Sequence, residues 1–157
     1  MAELAMEEMP SPHGSTLDRI LESYRSASVT EREKGTYFER LVAAYFRHDP
    51  VQKEEYDDVW TFQDWAKQRG WSGKDTGIDL VAKLRNEDGY AAIQCKFYAR
   101  DHRIQKTDID SFISASGKEP FRRRVVVDTT AGNWGDNAED MIRNQTLPVV
   151  RIGLDKL

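Results

Sequence analysis

Gly77-Ile78-Asp79-Leu80-Val81, then Asn86-Glu87-Asp88-Gly89, then Ala92-Ile93-Gln94-Cys95-Lys96-Phe97 is the stretch that decides how this chain folds. The first and last pieces are short apolar runs. The middle piece forms a turn, because Gly89 and its Asn and Asp neighbours tolerate positive φ. The pattern predicts a β-hairpin. With the tip between Glu87 and Asp88, Asp79 faces Lys96 across the ladder and Gln94 lies diagonally from Asp79. Side chains alternate faces along a strand, so all three are expected on one side of the sheet. Opposed Cβ atoms would lie about 5 Å apart and diagonal ones about 7–8 Å. An even-length loop keeps them together, whereas a one-residue slip sends Asp79 to the other face.

A carboxylate, an amide oxygen and an ammonium on one surface suit phosphodiester hydrolysis. Hard oxygen ligands hold Mg²⁺, which keeps several waters and few protein ligands. Such an ion lowers the pKa of bound water and polarises a phosphoryl oxygen, and Lys96 could orient the water and offset charge developing on phosphate. An Asp followed by Gln-x-Lys also arises by chance on exposed strands, so spacing alone leaves both readings open.

At 157 residues the chain is one domain with room for a real core. Charged residues make up 32% and mean hydropathy is −0.71, which suits a soluble, cytoplasmic protein. No apolar run approaches the roughly 20 residues needed to cross a bilayer, and the acidic N-terminus lacks the basic and apolar segments of a secretory signal. The single cysteine excludes an internal disulfide and fits a reducing compartment. Net charge is −4, yet Lys96 to Arg124 holds eight Lys or Arg against four acids. That local surplus follows the proposed site directly, where a phosphate backbone would lie. Arg100, Arg103 and Lys106 are the candidate contacts to that backbone, and an ordinary solvated face is the alternative.

Residues 1–14 read as a disordered leader and 15–157 as one domain. Leu17, Ile20, Leu21 and Tyr24 recur at helical spacing after Ser15 and Thr16, a candidate cap. A second helix opens at Thr30, with Glu33 completing a capping box, and buries Phe38, Leu41, Val42 and Tyr45. Glu39 borders that stripe, either along the core edge toward the sheet or out to solvent. A short strand is expected near Val59–Phe62, and the tryptophans at 60, 65 and 71 are read as satellite core. Asp75 is given a loop-capping role. A helix follows from Thr107 to Gly117, then a buried strand at Val125–Val127, a helix capped by Asp136, and a last strand at Val149–Ile152. Strand–helix–strand crossovers imply parallel pairing. The expected fold is therefore α/β, a mixed sheet of four or five strands flanked by helices. Cys95, between Gln94 and Lys96, is expected on the opposite face as a small core residue.

This order of motifs resembles the PD-(D/E)xK nuclease superfamily, and more narrowly its Mrr-like branch, in which glutamine replaces the second acid. Ser28 to Glu39, Asp75 to Ala82, Ala92 to Tyr98, Asp108 to Gly117 and Asn144-Gln145-Thr146 are similar to the N-terminal nuclease module of type ISP restriction–modification enzymes. The resemblance spans roughly residues 16–153. It implies a restriction-endonuclease-like core and metal binding by Asp79 and by Gln94 through its side-chain or adjacent main-chain oxygen. It implies a catalytic role for Lys96, a helix carboxylate from Glu39 completing the metal shell, and Mg²⁺ or Mn²⁺ as cofactor. Position 78 is Ile where the superfamily's name has Pro, which costs no chemistry. Gln94 brings no charge, so metal affinity rests on Asp79 and Glu39. The resemblance also implies double-stranded DNA as partner, with ATPase/translocase, methyltransferase and target-recognition domains in cis. The chain itself has no Gly-x-x-x-x-Gly-Lys-Ser/Thr phosphate loop, so it would be an isolated module of a longer polypeptide. A stand-alone Mrr-like repair or restriction nuclease, and a catalytically silent nucleic-acid-binding or docking domain, remain alternatives.

Overall fold

The structure, a computed structural model, describes residues 16–73 and 77–157. The expected leader, Ser15 and Asp75 lie outside the described residues. The elements in order are α1 (Thr16–Ser26), α2 (Glu31–His48), α3 (Pro50–Glu55), β1 (Tyr56–Thr61), α4 (Phe62–Gln68), β2 (Leu80–Leu84) and β3 (Tyr90–Lys96). They continue with α5 (Lys106–Ser116), β4 (Phe121–Asp128), α6 (Asp136–Arg143), β5 (Val149–Ile152) and a closing 3-10 turn at Leu154–Lys156. One five-stranded sheet runs β1-β2-β3-β4-β5. Its first three strands are antiparallel, and β3, β4 and β5 are mutually parallel, so the sheet is mixed as expected.

Each face of the sheet has its own core. On one, Leu21 of α1 and Phe38, Val42 and Phe46 of α2 cover Leu80, Ala82, Ile93, Val125 and Val127. On the other, Trp65 of α4, Ile109 and Phe112 of α5 and Ala138 of α6 cover Val81, Ala92 and Val126. The central strands are apolar on both faces, which is why 125–127 reads as a continuous run. Each such side chain contributes about 1.5–3 kcal/mol when fully buried. No helix among the described residues is long and apolar enough to cross a membrane.

Several local signals hold. Thr30 caps α2 by accepting from the Glu33 N–H at 3.1 Å. Gly117 closes α5. Gly89 has φ of 104°, and a Cβ there would collide with the Arg122 side chain, so the hairpin turn requires glycine.

Others are corrected. The β1 strand starts at Tyr56, and Phe62 opens a helix, capped by Thr61 accepting from the Asp64 N–H at 3.2 Å. A bulge between Tyr56 and Asp58 breaks the alternation that would have marked the strand. Helix α5 is entered one residue early, with Gln105 as its cap and its N–H given to Asp108 at 2.7 Å. Gly135, not Asp136, caps α6. Trp65 is buried as expected, but Trp71 is 37% exposed.

The ends of β4 and β5 are tied by an ionic network. Asp128 is fully buried and accepts from Arg151 at 2.9 and 3.1 Å, from the Thr130 N–H at 3.0 Å and from Trp134 Nε1 at 3.3 Å. Removing one partner of such a network strands the other charge in the interior. Cys95 packs against the α2-side core, on the expected face but half-buried rather than enclosed. Burial pushes its thiol well above the ordinary range, and the carboxylates of Asp79 and Glu39 push the same way.

Two outcomes follow. Asp128→Ala should lose about 3–5 kcal/mol in urea denaturation, whereas Arg122→Ala, which breaks an exposed pair with Glu119, should lose less than about 1 kcal/mol. Ellman's reagent at neutral pH should label the Cys95 thiol of the folded protein far more slowly than that of the unfolded chain; equal rates would contradict its half-buried place against the α2-side core.

Candidate active site

The β2–β3 register differs from the expected one by two residues. Leu80 pairs with Ile93, Val81 with Ala92 and Lys83 with Tyr90, so the ladder continued backwards sets Asp79 opposite Gln94, with Lys96 on the diagonal. A shift of two preserves alternation, but the ladder does not simply continue. The Asp79 N–H donates to the Ile93 carbonyl at 2.9 Å, one residue out of register, and the Asp79 carbonyl accepts from the Phe62 N–H at 3.0 Å. Ile78 and Val81, three residues apart, share one core. The alternation therefore breaks between them, and β2 parts from β3 at Asp79.

The carboxylate of Asp79 fills that parting. On β3 the backbone groups of odd-numbered residues face β2, as the Leu80–Ile93 pairing and the bond from Leu84 N–H to the Gly89 carbonyl require. The Cys95 N–H thus points to where β2 has ended, and it donates to Asp79 Oδ2 at 2.7 Å. The acid lies in the plane of the sheet, against the residue that joins Gln94 to Lys96. Asp79 therefore does not stand in the expected row with Gln94 and Lys96; its carboxylate meets the backbone between them.

Gln94 is 4% exposed, and its Nε2 donates to the Gly77 carbonyl at 3.2 Å. Its Oε1 is buried with no hydrogen-bond partner, an expensive condition for an amide oxygen. Gly77 is held at φ of 89°, and a Cβ there would sit 3.0 Å from the Phe112 backbone nitrogen. Glycine is therefore needed both for the turn and for the approach of α5. Lys96 is half-buried, its carbonyl accepts from the Thr129 N–H at 3.2 Å, and no described residue engages its ammonium in a hydrogen bond or ion pair.

Glu39 points toward the sheet. It and Asp79 line one open cavity of about 610 Å³, with Arg32, Gly35, Thr36, Thr61, Phe62, Gln63 and Ile78. Arg32, Gly35, Thr36 and Glu39 recur at helical spacing, so they form one polar stripe of α2 on the cavity wall. Only Glu39 of the four stands out in the sequence as a candidate; Arg32, Gly35 and Thr36 enter there only as part of the Ser28 to Glu39 resemblance.

Among the described residues no group of three or more His, Cys, Asp or Glu side chains is placed to hold a metal. The cavity supplies two carboxylates, Asp79 and Glu39, and the Gln94 side chain, tied to the Gly77 carbonyl, carries a buried amide oxygen without a partner. These are hard oxygen donors, and they fit a small divalent cation that retains water and takes further ligands from substrate.

The basic stretch does not form a single face. Arg124 is buried and donates to the carbonyls of Ile113 and Leu147 and to Gln145 Oε1. Arg123 pairs with Glu55 and Arg122 with Glu119, while Lys118 lies over the Trp71 ring. Of the candidate DNA contacts, Arg100 reaches Asp18 at 3.4 Å, Arg103 reaches Asp136 at 3.6 Å, and Lys106 pairs with Asp110 at 2.8 Å. Arg100 and Arg103 line a separate open cleft with Asp101, His102 and residues 131–133. There His102 stacks on Tyr98 at 4.0 Å, and both reach Asp108. Burial and the Asp108 charge push the Tyr98 hydroxyl up to about 12. Burial also raises Asp108, but hydrogen bonds from Gln105, His102 and Tyr98 outweigh it and hold the acid below its usual range.

Comparison with known proteins gives three findings. A family model described as restriction endonuclease, Mrr_cat_2, matches residues 47–157, a span that includes Asp79, Gln94 and Lys96 and leaves Glu39 outside. No curated protein matches the chain. Two solved structures are similar. The ATP-dependent Type ISP restriction-modification enzyme LlaBIII bound to DNA has 27% identity and a TM-score of 0.63, over 85% of this chain and 8% of that one. The MspJI restriction endonuclease in complex with a 27-mer oligonucleotide has a TM-score of 0.56 over 96% of this chain and 32% of that one; at 16% identity it shows the fold alone. The chain thus spans a small part of LlaBIII and about a third of MspJI. A five-stranded mixed sheet that forks at an acid, and a family match that covers the fork, lead to one assignment: the chain belongs to the restriction endonuclease family of the Mrr catalytic type.

Proposed function

We propose that this chain is a metal-dependent DNA endonuclease domain, the nuclease module of an ATP-dependent type ISP restriction–modification enzyme acting in the cytoplasm. Asp79, Gln94, Lys96 and Glu39 would form its hydrolytic site. The observation that carries this reading is the buried Oε1 of Gln94, which has no hydrogen-bond partner, on a side chain tied to the carbonyl of Gly77, two residues before Asp79. An amide oxygen left unsatisfied in the interior is accounted for by a ligand that fills it. The low coverage of LlaBIII supports the module reading, with ATP use, methylation and target recognition assigned to other parts of a longer polypeptide.

Mg²⁺, or Mn²⁺ in its place, would be held by Asp79, by Gln94 Oε1 and by Glu39 from the α2 side. When bound, such an ion supplies Lewis acidity toward a phosphoryl oxygen and acidifies water. The chain's own part is positioning. The Cys95 N–H holds the Asp79 carboxylate in one orientation, and the Gly77 carbonyl fixes the Gln94 amide so that its oxygen faces away from that bond. The Lys96 ammonium would steer the attacking water and offset charge gathering on the phosphate. Water oxygen adds to phosphorus as the ester P–O bond breaks, and the proton released from water ends on the departing oxygen. Arg100, Arg103 and Lys106 are proposed to meet the DNA backbone farther along, exchanging their acidic partners for phosphate.

The uncharged Gln94 also motivates a second reading, a domain that binds DNA without cutting it. Metal uptake separates the two. Titration calorimetry should register Mn²⁺ binding by the wild-type chain and lose it in Asp79→Ala; no uptake by the wild type favours the silent domain. On supercoiled plasmid with Mg²⁺, wild type should nick, and Asp79→Ala and Lys96→Ala should slow nicking by about 10²–10³-fold, both with native circular dichroism; Lys96→Ala should melt like wild type, and Asp79→Ala lower, because it strands the Cys95 N–H. Chelation should stop the reaction. Retained metal-dependent nicking by folded Asp79→Ala overturns the assignment.

A further inference from the structure

Glu39 of the proposed hydrolytic site belongs to a stripe on the cavity wall whose other members that site does not use. Arg32, Gly35, Thr36 and Glu39 lie at helical spacing on α2 and border the same cavity as Asp79. Three features set this stripe apart. Arg32 is exposed, and no described residue pairs with its guanidinium. Gly35 sits inside an 18-residue helix, where glycine is destabilising relative to alanine. Nothing lies within 4 Å of where its Cβ would be, so neither backbone conformation nor packing against the protein asks for glycine there.

We infer that this stripe is a binding track for the phosphodiester backbone of the cleaved strand. In it Arg32 is a phosphate-binding residue, and Gly35 gives the strand room to approach the helix. The inference rests on the nuclease reading and extends it to a surface which that reading does not require. Charge argues for it. A strand entering the cavity meets the carboxylates of Glu39 and Asp79, and a cation at the rim offsets that repulsion for the phosphate next to the one being cut. Arginine suits the task because its planar fork matches two phosphate oxygens. Gln63, across the cavity at the start of α4, adds an exposed amide that can donate. The Thr36 hydroxyl is already given to the Arg32 carbonyl at 3.1 Å, which leaves its lone pairs rather than its proton toward the cavity. Arg32 on α2 and Gln63 opposite it are therefore the donors assigned to the track. Glycine is the residue used where another backbone must come close.

Anisotropy of a fluorescein-labelled duplex, titrated at several salt concentrations with Ca²⁺ replacing Mg²⁺, tests the track without turnover. Arg32→Ala should weaken binding by about tenfold and reduce the salt slope by roughly 0.9, the loss of one phosphate contact. Arg32→Lys should restore the slope. Gly35→Leu should weaken binding with the slope unchanged while leaving the melting temperature equal or higher, which separates lost access from lost folding. Binding by Arg32→Ala with wild-type affinity and slope overturns the inference, as does Gly35→Leu binding like wild type. Failure of the wild type to bind duplex overturns it too, while Mn²⁺ uptake judges the hydrolytic site independently.

Discussion

The hydrogen bond from the Cys95 amide to the Asp79 carboxylate is the constraint on which the site depends. Where two antiparallel strands part, the inner strand is left with a donor that no backbone group can reach, and a buried donor without a partner is costly. Asp79 supplies the missing acceptor from its side chain. That single bond lets the sheet open without penalty and fixes where one carboxylate oxygen lies. Gln94, next in the chain to Cys95, keeps a buried Oε1 with no hydrogen-bond partner. On the far side of the fork the positive φ of Gly77 turns its carbonyl toward the Gln94 amide, so one loop anchors the opposite edge.

The surrounding fold keeps this opening rigid. Two apolar layers clamp the sheet, α1 and α2 on one face and α4 to α6 on the other. At the end of β3, Lys96 lies beside Asp128 in the parallel ladder. The network of Asp128, Arg151, Thr130 and Trp134 holds β4 and β5 there, and the Thr129 N–H secures the Lys96 backbone. The lysine side chain is thus mounted on a fixed strand end with its ammonium still unengaged. Catalytic groups carried by strands rather than loops are positioned more accurately.

Much of this was legible in the residues because the relevant signals are local. The apolar runs within 77–81, 92–97 and 125–127 marked the central strands, Thr30 with Glu33 marked the start of α2, and Asn86 to Gly89 marked the hairpin. What escaped was non-local. The two-residue register error came from placing the turn tip by composition, whereas pairing is settled by how both faces pack. The break at Asp79 depends on backbone groups of three segments, which no spacing rule contains. Helix α4 hid behind a bulge that disrupted the preceding strand. The arginines at 122–124 looked like one basic face, but a strand sends neighbours to opposite sides, and Arg124 went into the interior to hold Gln145 and two carbonyls. The polar stripe on α2 could not be told from solvated surface until Asp79 was placed across the cavity from it.

Diffraction from crystals soaked in Mn²⁺, recorded for anomalous signal, tests the central claim most directly. A peak within coordinating distance of the Asp79 carboxylate and of Gln94 Oε1, at the parting of β2 and β3, is the expected result. An occupied Mn²⁺ site elsewhere on the chain, with Asp79 and Gln94 Oε1 making no contact to it, would contradict the account.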